Sequence, residues 1–257
     1  MISLVDTHCH IQFADYPLDT DEVLEAAKAA GVDRMLCVGC TLEDSKAAIA
    51  FAQLYPQISA SIGLHPHEAK EYVSNQAALQ SFRDLAGKPR VVAVGEIGLD
   101  FYYNHSSKED QEKMLRWQLE MGLEHNLPFI FHVRDAFSDF WRILDDYRGV
   151  RGVVHSFTAA RPELEDALRQ GLYIGLNGIM TFTKDQVQLE AAKAVPNDRL
   201  VLETDAPFLT PSPFRGKVCE PKHVLETATF LAQLRGQTVE ELADFTTNNS
   251  KKLFSLL

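Results

Sequence analysis

The chain has 257 residues, 46% hydrophobic and 24% charged, with a formal net charge of −11. That length supports one large α/β domain spanning 1–257, with a core that needs no disulfide staples. The acidic balance argues against a basic face of the kind that grips duplex DNA without regard to sequence. It is compatible with a phosphate substrate whose charge is met locally by metal ions.

Along the chain, short apolar runs rich in β-branched residues alternate with segments of helical period. Strands are predicted at 4–7, 34–38, 58–63, 91–95, 128–133, 152–156, 172–176 and 200–203. Helices are predicted between them at 20–30, 43–54, 75–86, 108–125, 135–147, 162–170 and 185–194, and after the last strand at 221–234 and 239–246. Val91-Val92-Ala93-Val94 and Leu200-Val201-Leu202 are apolar on both faces, as in a parallel sheet covered by helices. Eight βα repeats predict a (β/α)8 TIM barrel. The rival, an open doubly wound sheet binding a dinucleotide, lacks its G-x-G-x-x-G after the first strand.

The N-terminal Met-Ile-Ser-Leu-Val-Asp has neither the charged nor the apolar region of a signal peptide. No apolar stretch approaches the ~20 residues that span a bilayer. A cytoplasmic protein with no membrane association and no obligate protein partner is expected. The cysteines are Cys9, Cys37, Cys40 and Cys219. Cys37 and Cys40 form a C-x-x-C with no second pair, at the end of an apolar run, and read as small buried hydrophobes with a strand-end thiol.

The polar residues carry the functional signal. Strand one runs into Asp6-Thr7-His8-Cys9-His10, strand three into Gly63-Leu64-His65-Pro66-His67, and strand four into Gly95-Glu96-Ile97-Gly98-Leu99-Asp100. Strand five ends on His132-Val133-Arg134, strand six on His155-Ser156-Phe157, and strand eight on Glu203-Thr204-Asp205-Ala206-Pro207. Six of the nine histidines thus fall at strand ends, which in a parallel barrel converge on the rim that carries the active site. A lone histidine or carboxylate in such a place is ordinarily structural; their accumulation is not.

Alternation of period two puts the imidazoles of His8 and His10 on one side of the strand, with Cys9 facing the other way. Together with Glu96, His132, His155 and Asp205 they form a mixed imidazole–carboxylate set suited to Zn, Mn, Co or Fe, and to Mg when water and phosphate complete the coordination. Six ligands exceed what one four-coordinate ion uses. Two ions about 3.5–4 Å apart, sharing one carboxylate, would absorb them. Glu96 is the expected bridge, and Mg, Mn or Zn the expected ions.

In order and spacing these motifs resemble the TatD family of metal-dependent deoxyribonucleases, a branch of the amidohydrolase-like barrels, near its YjjV-like members. The resemblance spans essentially the whole chain. It implies one ion on His8, His10 and Asp205, a second on His132 and His155, and Glu96 between them. It further implies that Asp205 orients or deprotonates the attacking water, that His65 contacts the scissile phosphate, and that Arg134 assists. The implied activity is metal-dependent hydrolysis of DNA, with trimming of single strands from the 3′ end.

One departure concerns the loop after strand eight. Where the family often carries Arg-Asn-Glu-Pro, this chain reads Val218-Cys219-Glu220-Pro221, with Arg215, Lys217 and Lys222 nearby as alternative positive charges. A hydrolase of a small ester, amide or phosphoester on the same barrel is the competing expectation. Related barrels with a carbamylated lysine place Lys at the end of strand four, where this chain has Glu96. A non-catalytic protein that kept the fold would be marked by a lost ligand, and all six are present.

Overall fold

The computed structural model describes residues 2–103 and 105–256. Its elements are β1 (Leu4–Cys9), α1 (Thr20–Ala29), β2 (Val32–Val38), α2 (Leu42–Leu54), β3 (Ile58–Ile62), α3 (Ala69–Tyr72), α4 (Gln76–Ala86) and β4 (Val91–Asp100). Then follow α5 (Lys108–Glu124), β5 (Phe129–Arg134), α6 (Phe137–Leu144), β6 (Gly152–Val154), α7 (Arg161–Arg169), β7 (Tyr173–Leu176), α8 (Gln186–Ala194), β8 (Leu200–Leu202), α9 (Val224–Arg235) and α10 (Val239–Phe254). The strands are ordered β1 to β8 as in the sequence and alternate with helices, which is the (β/α)8 barrel fold that the alternation predicts. Among the described residues no helix is long and apolar enough to cross a membrane.

Two compact units make up the chain, one formed by Met1–Cys37 with Ser156–Leu257, the other by Val38–His155. In the first, β1 lies parallel to β2 with Leu4 opposite Val32 and Cys9 opposite Cys37. β7 lies parallel to β8 with Ile174 opposite Leu200, and Cys9 bridges Ala206 just past β8.

Helix α10 in this unit runs eight residues beyond its expected end at 246, through the polar stretch Thr246-Thr247-Asn248-Asn249-Ser250. Such residues usually compete with helical hydrogen bonding. Here Thr246 Oγ1 donates to the Leu242 carbonyl and Ser250 Oγ to that of Thr246, both at 2.8 Å. Asn249 Nδ2 donates to the carbonyls of Asn197 and Leu200, and Thr247 Oγ1 to that of Ser3. Thr246, Thr247, Asn249 and Ser250 are buried, each with a hydrogen-bond partner within the unit, while Asn248 is exposed.

In the second unit β3, β4, β5 and β6 pair in parallel, in that order. Phe82, Phe129, Phe131 and Phe140 are fully buried in its core. β4 extends five residues past its expected end at 95, so that Ile97 to Asp100 face Phe131 to Arg134 one for one. Gly98 permits this. It stands at φ +147°, and a Cβ there would collide with the His132 carbonyl oxygen. Helix α6 starts two residues later than expected because Asp135 adopts a left-handed φ of +52°. The short α3 falls in a stretch whose Pro66 and closely spaced histidines mask any helical period.

Candidate metal centre

In the first unit β1 delivers His8 and His10 to the same side, as the alternation predicts. Their Nε2 atoms are 3.1 Å apart, and Asp205 Oδ1 lies 3.4 Å from the first and 3.5 Å from the second. Ligands at about 2.1 Å from one cation stand roughly 3.0–3.4 Å from each other in octahedral or tetrahedral geometry. The three donors therefore fit a divalent ion both in spacing and in chemistry.

Asp205 follows β8 at φ +61°, in the left-handed region that Asp tolerates better than most residues, and its N–H donates to the His8 carbonyl at 2.8 Å. The His10 ring stacks on Phe13 with centroids 4.7 Å apart. Behind them Asp6, fully buried, accepts from the Thr204 N–H at 2.9 Å, from Thr204 Oγ1 at 2.5 Å and from the His8 N–H at 3.3 Å. Burial pushes its pKa up to about 8, so one largely neutral carboxyl group ties together the two backbone segments that present the candidate ligands. Glu203, equally buried, accepts from the Ser156 N–H at 2.6 Å.

In the second unit Glu96 is the centre. Its Oε1 lies 2.8 Å from His132 Nδ1, 3.1 Å from His155 Nε2 and 3.5 Å from His65 Nε2. Burial opposes its ionisation, but the electrostatic pull of the His155 and His65 imidazoles and hydrogen bonds from His132 and His155 hold it well below the usual carboxylate range. Glu96 is therefore a carboxylate at neutral pH, as a ligand must be. Burial lowers His65 to about 4 against the pull of Glu96, so its imidazole is neutral. Burial alone would also lower His132, but its hydrogen bonds to Asp100 and Glu96 raise it.

Asp100 ends the Gly95–Asp100 motif, and the sequence alone assigns it no role. Its Oδ2 lies 3.1 Å from His132 Nε2 and 2.9 Å from His67 Nε2. With Nε2 of His132 donating to Asp100, Nδ1, beside Glu96, is the nitrogen that would turn a lone pair to an ion. This is the arrangement in which a carboxylate fixes the tautomer of a metal-binding histidine. A signal was available, since Glu96, Gly98 and Asp100 share one face of a strand. Two glutamines of α5, seven residues and two turns apart, clamp this region. Gln118 accepts from the Leu64 N–H at 2.7 Å and donates to its carbonyl at 3.1 Å, fixing the residue before His65. Gln111 does the same to Asp100 at 2.8 and 3.0 Å.

The C-x-x-C divides. Cys37 is fully buried, while Cys40 is partly exposed and its Sγ lies 3.7 Å from Glu96 Oε2. Arg134 is exposed, its guanidinium over the rings of Tyr102 and Tyr103 at 4.2 and 4.8 Å. In the loop after β8, Cys219 is fully buried, its N–H donating to the Pro207 carbonyl at 3.0 Å. Arg215 stacks on Phe182 at 3.8 Å and Lys222 pairs with Glu220 at 2.6 Å. The replacement at Cys219 is thus a packing feature of this loop.

The TatD related DNase family profile matches residues 5–255. The chain is 38% identical over 255 residues to an uncharacterized metal-dependent hydrolase, YabD of Bacillus subtilis, covering 98% of this chain and 99% of that one. It is 36% identical over 261 residues to the 3′-5′ ssDNA/RNA exonuclease TatD of Cronobacter sakazakii, covering 98% and 97%. The crystal structure of the TatD homologue YjjV from Escherichia coli superposes with a TM-score of 0.92 at 29% identity, over 99% of this chain and 98% of that one. The fold and these likenesses together make this chain a metal-dependent hydrolase of the TatD family.

Proposed function

We propose that the protein is a divalent-metal-dependent phosphodiesterase that hydrolyses single-stranded nucleic acid, DNA foremost, from the 3′ end through a two-metal site. Its ions are Mg, Mn or Zn. His8, His10 and Asp205 serve one ion, His132 and His155 the other, and Glu96 both. The observation that carries this reading is the spacing of the His8, His10 and Asp205 donors, 3.1 to 3.5 Å, at which a divalent ion fits. The single-strand and end preference is taken from the relative named as a 3′-5′ ssDNA/RNA exonuclease.

Divalent ions in such a site neutralise charge on phosphoryl oxygens and lower the pKa of water toward neutrality. The side chains supply the rest. Asp205 is 16% exposed and accepts the proton of the attacking water on its carboxylate. His65 Nδ1 accepts from the His67 N–H at 3.3 Å, which leaves its proton on Nε2. A neutral Nε2–H can hydrogen-bond a non-bridging phosphoryl oxygen without adding a charge. Asp100 keeps His132 in the ligating tautomer throughout.

The test is incubation of the purified protein with labelled single-stranded DNA and RNA, with Mg²⁺ or Mn²⁺ and with a chelator. Metal-dependent release of 3′ mononucleotides is expected. Turnover of small esters without cleavage of either nucleic acid would overturn the substrate assignment.

A further inference from the structure

The loop between β4 and α5 carries two exposed aromatic rings that packing does not account for. Tyr102 and Tyr103 are 55% and 43% exposed, with centroids 4.8 Å apart and planes at 85°. The His105 ring stacks near Tyr103 at 5.8 Å, and His67 stands edge-on to Tyr103 at 5.6 Å. The guanidinium of Arg134 lies over both tyrosines. The rings are not what holds the loop. Gln111 Nε2 donates to the Ser106 carbonyl at 3.1 Å, and Ser106 Oγ donates to that of His67 at 2.7 Å. Asp100 Oδ1 accepts from the N–H groups of Tyr102 and Tyr103 at 3.0 and 2.9 Å.

The placement of that carboxylate gives the cluster its meaning. The same Asp100 that anchors both tyrosines through Oδ1 holds His132 through Oδ2. The backbone that bears the two rings is therefore tied to the carboxyl group that holds a candidate metal ligand. Exposed aromatics interleaved with a cation, next to a phosphate-hydrolysing site, are what single-stranded nucleic acid recognition uses, because every base offers a π-face. Arg adds cation–π attraction and a charge for the neighbouring phosphate.

We propose that Tyr102, Tyr103 and Arg134 form a stacking subsite for a nucleobase of the single-stranded substrate, beside the phosphodiester to be cut. This rests on the nucleic-acid reading above. It makes a base necessary for efficient binding while leaving base identity of little consequence. It also gives an acidic protein a way to engage nucleic acid without a basic face.

The test compares single-stranded oligonucleotides that are identical except for abasic residues at the last two 3′ positions. Metal-loaded wild type should favour the intact strand by about tenfold to a hundredfold in kcat/KM, carried by KM. In Tyr102→Ala/Tyr103→Ala that preference should shrink toward one, and Tyr103→Trp should retain it. Binding of phosphorothioate versions, followed by fluorescence anisotropy, should show the same pattern without turnover. Wild type that cleaves both strands equally, or a double variant that keeps the full preference, overturns the subsite and leaves the nuclease reading intact. Wild type that neither binds nor cleaves any oligonucleotide overturns both.

Discussion

His132 is held between two carboxylates, its Nε2 3.1 Å from Asp100 Oδ2 and its Nδ1 2.8 Å from Glu96 Oε1. Burial works against Asp100 as an anion, yet hydrogen bonds from His132, the Tyr103 backbone and His67 hold its carboxyl below the usual range. Asp100 is therefore an anion at neutral pH and faces Nε2 of His132 as a hydrogen-bond acceptor.

Replacing that anion tests the arrangement. Asp100→Asn keeps the shape but offers His132 a weaker acceptor or the wrong tautomer. Metal affinity or activity should fall about ten- to a hundredfold, the usual cost of removing such a supporting carboxylate. Titration of activity against Mn²⁺, with circular dichroism to confirm folding, measures it. An unchanged midpoint and rate would show that Asp100 does not orient His132.

Asp205→Asn separates ligation from proton transfer. The amide oxygen can still face the ion, but it cannot take up the proton of water. The loss in kcat should reach about 10²–10⁴-fold, the range for removal of a general base, with metal content less affected. A variant as active as wild type would exclude Asp205 from water activation.

The two glutamines of α5 should show as stability. Gln118→Leu leaves the buried N–H and carbonyl of Leu64 without their partner, at about 1–3 kcal/mol for unsatisfied buried groups. For a chain of this size each kcal/mol is worth about 2–4 °C in Tm. Thermal melting of Gln118→Leu and Gln111→Leu should therefore give drops of several degrees. A surface substitution such as Gln80→Leu, whose side chain bonds to exposed Asp84, should give almost none. Equal melting of all three would show that the clamps contribute nothing.

Why these glutamines do not stand out in the sequence, while the candidate metal ligands do, has a physical basis. A glutamine inside a helix of high charge reads as a solvated residue. Only the fold shows that positions 111 and 118 face inward onto backbone. Histidines and carboxylates at six strand ends are dense enough to stand out in one dimension. The strands themselves were legible because burial on both faces leaves continuous apolar runs. β4 read short because Gly95 and Gly98 look like turn signals, whereas Gly98 is needed where β4 meets His132. The second half of α10 was illegible for the opposite reason, its buried polar residues being satisfied by contacts remote in sequence.

The depressed pKa of His65 has a consequence for stability against pH. In the unfolded chain it titrates near 6.5, and in the fold at about 4. Between those values the unfolded state binds a proton that the native state does not. The contribution of His65 is thus fully present above pH 6.5 and is lost as pH falls toward 4. In chelator, the wild type should lose stability over that window relative to His65→Asn, by up to roughly 3 kcal/mol. Urea unfolding at pH 7.0, 5.5 and 4.5 reads the difference, and parallel curves for the two proteins would contradict it.

The bond from Thr204 Oγ1 to Asp6 makes the last case, because it spans 198 residues of sequence and joins the segments that carry His8 and Asp205. Thr204→Val is nearly isosteric but removes the donor to Asp6 and also the acceptor for the Ala206 N–H, 3.1 Å away. Asp6 is fully buried, so its carboxyl group cannot turn to water for a replacement. The variant should be destabilised by about 1–3 kcal/mol. Thr204→Ser, which keeps the hydroxyl, should recover most of that. Because Asp6 also accepts from the His8 N–H, metal content measured after dialysis should fall in Thr204→Val and be restored in Thr204→Ser. If Thr204→Val melts like wild type and retains its metal, the bond is incidental. If it is destabilised yet retains metal, Asp6 supports the fold without positioning the ligands.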